Sequence, residues 1–185
     1  MDNISLLKGV SQEDSARLID SCAQISAQVF PFLYFLRENA LRNELNIFKR
    51  RNRLPISPPV YQPVRIVSEP KQCTEDESNM IVVLVVILGS ICQPPPHYLE
   101  DGLPVGLRDY YHAGSTLDAL SESVATVKIY ILAHLYAQQA GIEDDAYSHI
   151  AKASQIARRL CIVNNDVRAQ WDRAYLVDTC AALEL

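Results

Sequence analysis

Apolar residues recur at the three- and four-residue spacing of α-helices along most of the chain. A first helix is predicted to begin after Ser11, because Asp14 stands three residues further on, as in a capping box. Its apolar positions at helical spacing are Leu18, Ile19, Cys22, Ile25 and Val29. Pro31 then ends or kinks this helix, since proline lacks the amide proton that a helix interior needs. A second amphipathic helix is predicted within FLYFLRENALRNELNIFKRR, residues 32–51.

The helical pattern is interrupted at residue 54, where a proline-rich stretch begins. Five prolines between residues 54 and 70 exclude a regular helix. They predict an extended surface linker, with a short strand at Val64–Val67. The acidic run Thr74–Asn79 then suits a helix N-terminus, where carboxylates meet the positive end of the helix dipole.

The most hydrophobic stretch of the chain is MIVVLVVILGSIC, Met80–Cys92. It is too short to cross a membrane, which takes about 20 apolar residues. Valine and isoleucine favour strands, so a buried strand is the competing interpretation. We favour a helix that is buried on all sides, because the neighbouring segments are helical and no second strand is available to pair with this one.

Helical periodicity returns after a loop over residues 93–106. One helix is predicted over residues 107–120, and Ser123 is expected to cap the next one, over residues 124–139. The single apolar face of this next helix is formed by Val124, Val127, Ile131, Leu132 and Leu135. Gly141 is the expected signal that stops the helix.

Two further helices complete the pattern. Asp144 or Asp145 is predicted to cap a helix over residues 146–160. The inward positions of that helix are Ile150, Ala153, Ile156, Ala157 and Leu160. A last helix is predicted to start at Asn165 or Asp166, and its apolar positions are Trp171, Tyr175, Val177 and Leu183. The two helices that flank the short turn form an αα-hairpin, and their alanines allow a close approach.

The sequence therefore predicts an all-α fold, an antiparallel array of about six or seven helices with a proline-rich linker. We divide it into an N-terminal helical segment (1–53), a proline-rich linker (54–78) and a helical core (79–185). The chain has 185 residues, enough to bury a substantial core. Its formal charge of −5 argues against direct nucleic-acid binding, which usually needs a basic surface.

The five cysteines are scattered and include no CxxC pair, which indicates reduced thiols rather than disulfides or a zinc site. Cys161 and Cys180 are expected to be inert packing residues, because late helical positions disfavour a thiolate. The first ten residues lack a basic region and a long apolar core, so they do not predict a signal peptide.

Two histidines are candidates for chemistry. His134 has Gln138 at the i+4 position where a second metal ligand would stand, so a buried, hydrogen-bonded histidine is the favoured interpretation. His149 would need to converge with His134 to bind a metal or act in acid–base chemistry. Surface placement is the default for His97 and His112. We predict no catalytic and no metal-binding residue.

The basic cluster KRRNR is the one positive patch of the sequence. Its cations are Lys49, Arg50, Arg51 and Arg53. Two interpretations stay open: a nuclear localisation signal, or a helix C-terminus where cations oppose the dipole.

Four stretches resemble, in order, parts of one regulatory family. They are SNMIVVLVVILGSIC, LPVGLRDYYHAGSTLDAL, VATVKIYILAHLYAQQAGIEDDAYSHIAKASQIARRL and WDRAYLVDTCAALEL. The series is similar to the fungal-specific transcription factor domain, the middle homology region of zinc binuclear cluster transcription factors. The resemblance implies core positions at Tyr110, Leu132, Leu135, Tyr136, Tyr147, Ala153, Leu183 and Glu184.

The resemblance implies a regulatory role in a nuclear transcription factor, through transcriptional partner proteins or a small-molecule effector. A homodimer is a further option, and neither a membrane nor DNA is expected as a direct partner. Zinc is expected only in a DNA-binding head with repeated CxxC spacing, which this sequence lacks. Because the family continues for more helices, we expect a fragment or a truncated member.

Two other classes compete with this interpretation. A helical-repeat adaptor of the tetratricopeptide type requires an exposed concave face that carries Tyr130, His134 and Gln138. An all-helical enzyme requires an enclosed polar pocket that joins His134 or His149 to a carboxylate. The family resemblance instead requires that most of the helix 124–139 is buried.

Overall fold

The fold is known from a computed structural model, which describes residues 7–36, 38–56, 74–93, 102–163 and 167–184. These residues form seven α-helices and no strand, so the predicted all-α array is confirmed. A 3₁₀ turn, Tyr34–Leu36, precedes the second helix. The helices are α1 (Gln12–Val29), α2 (Glu38–Arg51), α3 (Glu75–Ile91), α4 (Leu107–Leu117), α5 (Val124–Gln139), α6 (Glu143–Val163) and α7 (Val167–Leu183).

Helices α3 and α5 form the centre of the fold. Helix α5 packs between α3 and α6, α1 covers the other side of α3, and α7 packs on α6. The starts of α3 and α5 lie at the same end, because Glu77 contacts Ser123. At the other end Tyr136 donates a hydrogen bond to the carbonyl oxygen of Val105, next to a close approach of Gly106 to Ile87. These two central helices therefore run parallel, whereas consecutive α5 and α6 are antiparallel.

Helix α3 is buried on nearly all sides, as predicted for the valine-rich stretch. Thr74 caps it through its side chain, and Glu77 completes a capping box. Every residue from Met80 to Ser90 is buried. Helix α1 approaches α3 so closely that a Cβ on Gly89 would lie 2.1 Å from the carbonyl oxygen of Cys22. The helical interpretation of this stretch is confirmed, and the strand interpretation is wrong.

Helix α5 is enclosed more completely than its sequence indicated. Ser123 caps it as predicted, by accepting a hydrogen bond from the amide of Thr126 at 3.0 Å. From Ala125 to Ala137 every residue except Lys128 is buried. The expectation of a single apolar face is therefore too narrow, because α3 and α6 cover opposite sides of the helix.

Helix α5 ends at Gly141, as predicted. Gly141 has a φ of +74°, and the amide of the next residue, Ile142, reaches back to the carbonyl of Ala137 at 2.8 Å. This is a Schellman motif. The prediction of the next cap is wrong: α6 begins at Glu143, so Asp144 and Asp145 lie inside its first turn, where the helix dipole favours their charge.

Several expected core positions are confirmed. Ile150, Ala153, Ile156 and Ala157 of α6 are buried as predicted, whereas Leu160 is half-buried. The buried core residues include five of the positions that the resemblance implied, namely Ala153 together with Tyr110, Leu132, Leu135 and Tyr136.

Two other expected positions face outward, and a third is half-buried. Tyr147 is 73% exposed and is not a core residue. Glu184 is exposed after the end of α7, and Leu183 is half-buried. Helix α7 instead buries Leu176, Thr179 and Cys180. In α1, Val29 is 45% exposed, and Ala23 and Ser26 take the inner positions.

Some predictions fall outside the described residues. They concern most of the proline-rich linker, the strand at Val64–Val67, Cys73, His97 and the helix start at Asn165 or Asp166. The division into three segments also stays a prediction, although the N-terminal residues Phe30 and Leu33 share one hydrophobic cluster with α3 and α5. In the described part of the chain, no helix is both long and apolar enough to span a bilayer.

Helix α2 ends in a turn that resembles the end of α5 but lacks its glycine. Arg53 has a φ of +55°, and the amide of Leu54 bonds to the carbonyl of Lys49 at 2.8 Å. A side chain at positive φ costs about 1–2 kcal/mol relative to glycine. Arg53 therefore carries local backbone strain.

We expect Arg53→Gly to stabilise the protein by about 0.5 kcal/mol, since relief of this strain exceeds the added freedom of the unfolded chain. Urea denaturation followed by circular dichroism measures the change. Gly141→Ala is the matched control and is expected to destabilise by about 1 kcal/mol. A lower urea midpoint for Arg53→Gly would mean that contacts of the arginine side chain outweigh the strain.

Candidate functional site

An open groove lies between α4 and α6, and a side chain of α5 forms part of its floor. We call it the α4–α6 groove; its volume is about 710 Å³. Tyr130 contributes from α5, Asp118 lies at the end of α4, and His149 and Lys152 lie on α6. Both apolar and charged groups line the groove, which suits a small molecule or a peptide side chain better than a purely apolar ligand.

A chain of hydrogen bonds joins α4 to α6 beside this groove. The hydroxyl of Tyr110 lies 2.8 Å from Nε2 of His149 and donates to Oδ2 of Asp145 at 3.2 Å. A tyrosine hydroxyl has one proton, so both contacts are satisfied only if Nε2–H of His149 donates to the tyrosine oxygen. The chain of donors then runs from His149 through Tyr110 to Asp145.

The surroundings of His149 and Tyr130 favour the neutral forms of both side chains. Burial is the largest effect on His149 and lowers its pKa, and the nearby His134 lowers this pKa further. Asp145 and Asp118 act in the opposite direction and raise it, but they do not cancel the effect of burial. Burial also raises the pKa of Tyr130 to about 12, with a further contribution from Asp118, to which its hydroxyl donates at 3.4 Å. The groove therefore presents a neutral imidazole and a neutral phenol at pH 7.

His134 is the buried, hydrogen-bonded histidine that was predicted. Its Nδ1 lies 2.8 Å from the carbonyl oxygen of Ala146, which ties α5 to the first turn of α6. Its Nε2 is buried and has no hydrogen-bond partner in the described part of the chain. The described residues contain no group of three histidine, cysteine or acidic side chains that could hold a metal ion.

An all-helical enzyme was expected to need an enclosed polar pocket that joins His134 or His149 to a carboxylate. Only the link from a histidine to a carboxylate is present. His149 is joined to a carboxylate, Asp145, through Tyr110. The adjoining groove is open to solvent, however, and water is not excluded from it as it would be from an enclosed chamber. The geometry thus suits the binding of a ligand that hydrogen-bonds to His149 or Tyr130.

A second groove lies on the other side of the exposed face of α6. This α6–α7 groove has a volume of about 600 Å³ and includes Arg158, Arg159 and Glu184. Tyr147, Ala151 and Gln155 border both grooves, so α6 forms a ridge between them. Arg158 lies 3.8 Å from Glu184, and Arg159 pairs with Glu122.

The basic cluster does not present four free cations. Lys49 is only 1% exposed, and its Nζ lies 2.5 Å from Asp20 on α1. Arg51 lies 3.4 Å from Glu75, whereas Arg50 and Arg53 are exposed. The first three cations occupy the last turn of α2, so the helix C-terminus interpretation describes their position correctly.

The thiols are placed for packing. Cys22 and Cys180 are fully buried, and burial raises the pKa of both. For Cys180 the value rises to about 12, with Glu184 adding to the effect of burial. Burial also raises the pKa of the half-buried Cys92. These thiols are therefore protonated at neutral pH, as inert packing residues are.

Of the residues in and beside the groove, the sequence singled out Tyr130 and His149 but not the others. Tyr110 was expected only in the core, Asp145 only as a helix cap, and Asp118 not at all. One signal was present: Asp145 and His149 are four residues apart and share a face of α6. Their link to Tyr110 on α4 depends on tertiary packing and has no local signal.

A buried carboxylate joins the starts of the two central helices. Oε2 of Glu77 accepts from the amide of Thr74 at 2.6 Å, and Oε1 accepts from Ser123 Oγ at 2.6 Å and Thr126 Oγ1 at 3.1 Å. Burial alone would raise the pKa of Glu77, but these hydrogen bonds outweigh it and lower the pKa. Glu77 is thus held in its ionised form.

We expect Glu77→Gln to lower the free energy of unfolding by about 2 kcal/mol at pH 7, because charge-assisted hydrogen bonds are lost. Since the folded pKa is depressed, this contribution is present above the unfolded pKa and disappears as the pH falls through the folded pKa. Urea midpoints measured from pH 7 to pH 3 should converge for native and variant protein. An exposed control, Glu13→Gln, should not reproduce the convergence, and parallel curves for Glu77→Gln would contradict the expectation.

Comparison of the chain with family models, with curated proteins and with solved structures found no match.

Proposed function

We propose that the chain is a regulatory and interaction domain of a fungal-type transcription factor, resembling the middle homology region, and is not itself catalytic. The observation that carries the proposal is the enclosure of α5. The resemblance requires that this helix be buried, and Tyr130 and His134 are among its buried residues. The adaptor alternative required an exposed face with Tyr130, His134 and Gln138, of which only Gln138 is exposed.

The order of elements supports the same proposal. A buried apolar helix, a shorter helix with Tyr110, and the α5–α6 hairpin follow each other in the order that the resemblance implies. The implied localisation is the nucleus. Zinc would belong to a separate DNA-binding head, and these 185 residues, with a net charge of −5, would not bind DNA themselves.

The α4–α6 groove is the site we assign to the effector. A ligand seated between Gly114 and Asp118 on one side and His149 and Lys152 on the other contacts both α4 and α6. Because Tyr110 links these helices through His149 and Asp145, a ligand that favours one spacing of α4 and α6 would shift the domain toward that packing. A partner protein that inserts a side chain into the groove would act in the same way.

A reporter assay tests the proposal. The chain is fused to an unrelated DNA-binding domain with a constitutive activation segment, and reporter activity in a fungal cell is compared with that of the fusion without the chain. We expect a change of at least about fivefold at equal protein level. Lys152→Glu in the groove should change the response, whereas Ser115→Ala on the outside of α4 should not. An identical reporter signal with and without the chain would refute the regulatory role.

A second measurement addresses DNA binding directly. The isolated chain should give no gel shift with duplex DNA at physiological salt, because it lacks a basic surface. A sequence-specific shift at submicromolar protein would contradict the assignment of DNA binding to a separate head.

A further inference from the structure

The outer face of α6 is unpartnered within the described part of the chain. Its residues recur at three- and four-residue spacing and are all exposed, namely Asp144, Tyr147, Ser148, Ala151, Gln155 and Arg158. Tyr147 is the most exposed of the large hydrophobic side chains in the described residues. The face carries one large aromatic side chain, Tyr147, and has a groove on each side.

The charges on this face are arranged symmetrically about its middle. Ala151 is equally distant in sequence from Asp144 and Arg158, and likewise from Tyr147 and Gln155. Carboxylates thus occupy the N-terminal end of the face and arginines the C-terminal end. Such a face is complementary to itself when two copies lie antiparallel, because each acidic end then meets a basic end.

We infer that two copies of this chain associate through antiparallel α6 helices, with a two-fold axis next to Ala151. Each Asp144 then lies opposite Arg158 of the second copy, and each Tyr147 lies opposite Gln155. At that level Tyr147 meets the α6–α7 groove of the second copy, which is bordered by Gln155 and Arg158. The small side chain of Ala151 at the axis permits close approach of the helices. This inference does not depend on the proposed transcriptional role.

The expected association is weak. From Glu143 to Arg159 the face is about 24 Å long, and a single helix pair buries less than the roughly 800 Å² per partner of a standard interface. We therefore expect a dissociation constant on the order of 10–100 μM. Arg158 is available for the contact, because its exposed pair with Glu184, at 3.8 Å, contributes little.

Sedimentation velocity of the full chain between about 5 and 300 μM tests the inference. The native chain should shift from monomer to dimer, and Tyr147→Ala should weaken the dimer at least tenfold. Asp144→Arg and Arg158→Glu should each remain monomeric, because each places two like-charged pairs in the dimer. An equimolar mixture of these two variants should dimerise again, since both cross-pairs in the mixed dimer are then opposite in charge. Arg17→Glu on α1 is the control with the same charge change as Arg158→Glu.

The outcomes separate this dimer from other associations. All substituted side chains are exposed, so circular dichroism should report native helicity for every variant. A native chain that stays monomeric up to 300 μM overturns the inference. A dimer that survives both single charge reversals, or a mixture of the two variants that stays monomeric, also overturns it, since the dimer contact would then lie elsewhere.

Discussion

Leu132→Asp unfolds the domain. Leu132 is completely buried at the centre of α5, and its neighbours along the helix, Ile131 and Ala133, are buried as well. An aspartate there loses the apolar contacts and places an uncompensated carboxylate in the core, a combined cost of more than about 5 kcal/mol. Because a domain of this kind is stable by about 5–15 kcal/mol in total, most or all of the folded state is lost.

The measurement is a thermal melt followed by circular dichroism at 222 nm. Two controls separate charge from general disturbance of the sequence. Leu103→Asp places the same charge at a residue that is 49% exposed, and its melt should match that of the native chain. Leu132→Asn introduces a side chain with the shape of aspartate but without its charge. Its melting temperature should lie between those of the native chain and Leu132→Asp. A cooperative native-like melt for Leu132→Asp would mean that α5 is not enclosed by α3 and α6.

Gly89→Ala is expected to be nearly as damaging, although it adds only one methyl group. The new Cβ would lie 2.1 Å from the carbonyl oxygen of Cys22 and 2.6 Å from its Cα. These are backbone atoms of α1 and cannot turn aside as a side chain would. Helices α1 and α3 must therefore separate, which costs about 3 kcal/mol or more. The separation also loosens the hydrogen bond from Ser26 to the carbonyl oxygen of Val85 and the contact between Cys22 and Ser90.

Gly114→Ala is the matched control for this prediction. Gly114 also lies inside a helix, but nothing is within 4 Å of the position of its Cβ. The alanine should raise stability by about 0.5–1 kcal/mol, because alanine is the better helix former. The same substitution is thus expected to have opposite signs at the two positions, as read from urea midpoints. Equal effects at both positions would contradict the close approach of α1 and α3.

The helices were readable from the sequence because their local signals agreed with one another. Ser11, Thr74, Ser123 and Gly141 mark helix ends with side-chain caps or positive φ, and each lies at or beside a helix end in the structure. The valine-rich α3 was the exception, since its β propensity opposed its caps. Helix α3 forms because its capping hydrogen bonds are satisfied. Burial on all sides also stabilises every apolar side chain of the helix, whatever the β propensity of that residue.

What the sequence did not reveal depends on tertiary packing. His134 was expected to be buried and hydrogen-bonded, and its Nδ1 does lie at the carbonyl oxygen of Ala146. Tyr130 would be exposed in a helical-repeat adaptor, yet its hydroxyl bonds to Asp118 and its ring is buried. Conversely, the resemblance implied that Tyr147 is in the core, but its side chain is exposed. Whether a tyrosine on such a helix is buried or exposed depends on which neighbouring helix covers its side. The local sequence does not encode this.

The candidate site shows the same division. The pairing of Asp145 with His149 on one helix face follows from sequence spacing. The contact of both with Tyr110, 35 and 39 residues earlier in the chain, does not. Acidic residues in the first turn of a helix are usually explained by their interaction with the helix dipole alone. The hydrogen bond that Asp145 accepts from Tyr110 could therefore not be predicted from its position.

The parallel orientation of α3 and α5 has a consequence for how the chain folds. Glu77 meets Ser123 across 46 residues of sequence, and between them the chain must run down α3 and return to the starting end before α5 can begin. This pairing is therefore a non-local contact, whose loop-closure entropy is lost before any burial compensates for it. The α5–α6 hairpin, in contrast, closes over a short turn and can form early. Refolding is accordingly expected to be slower than that of up-and-down helical bundles, whose contacts are mostly between consecutive helices.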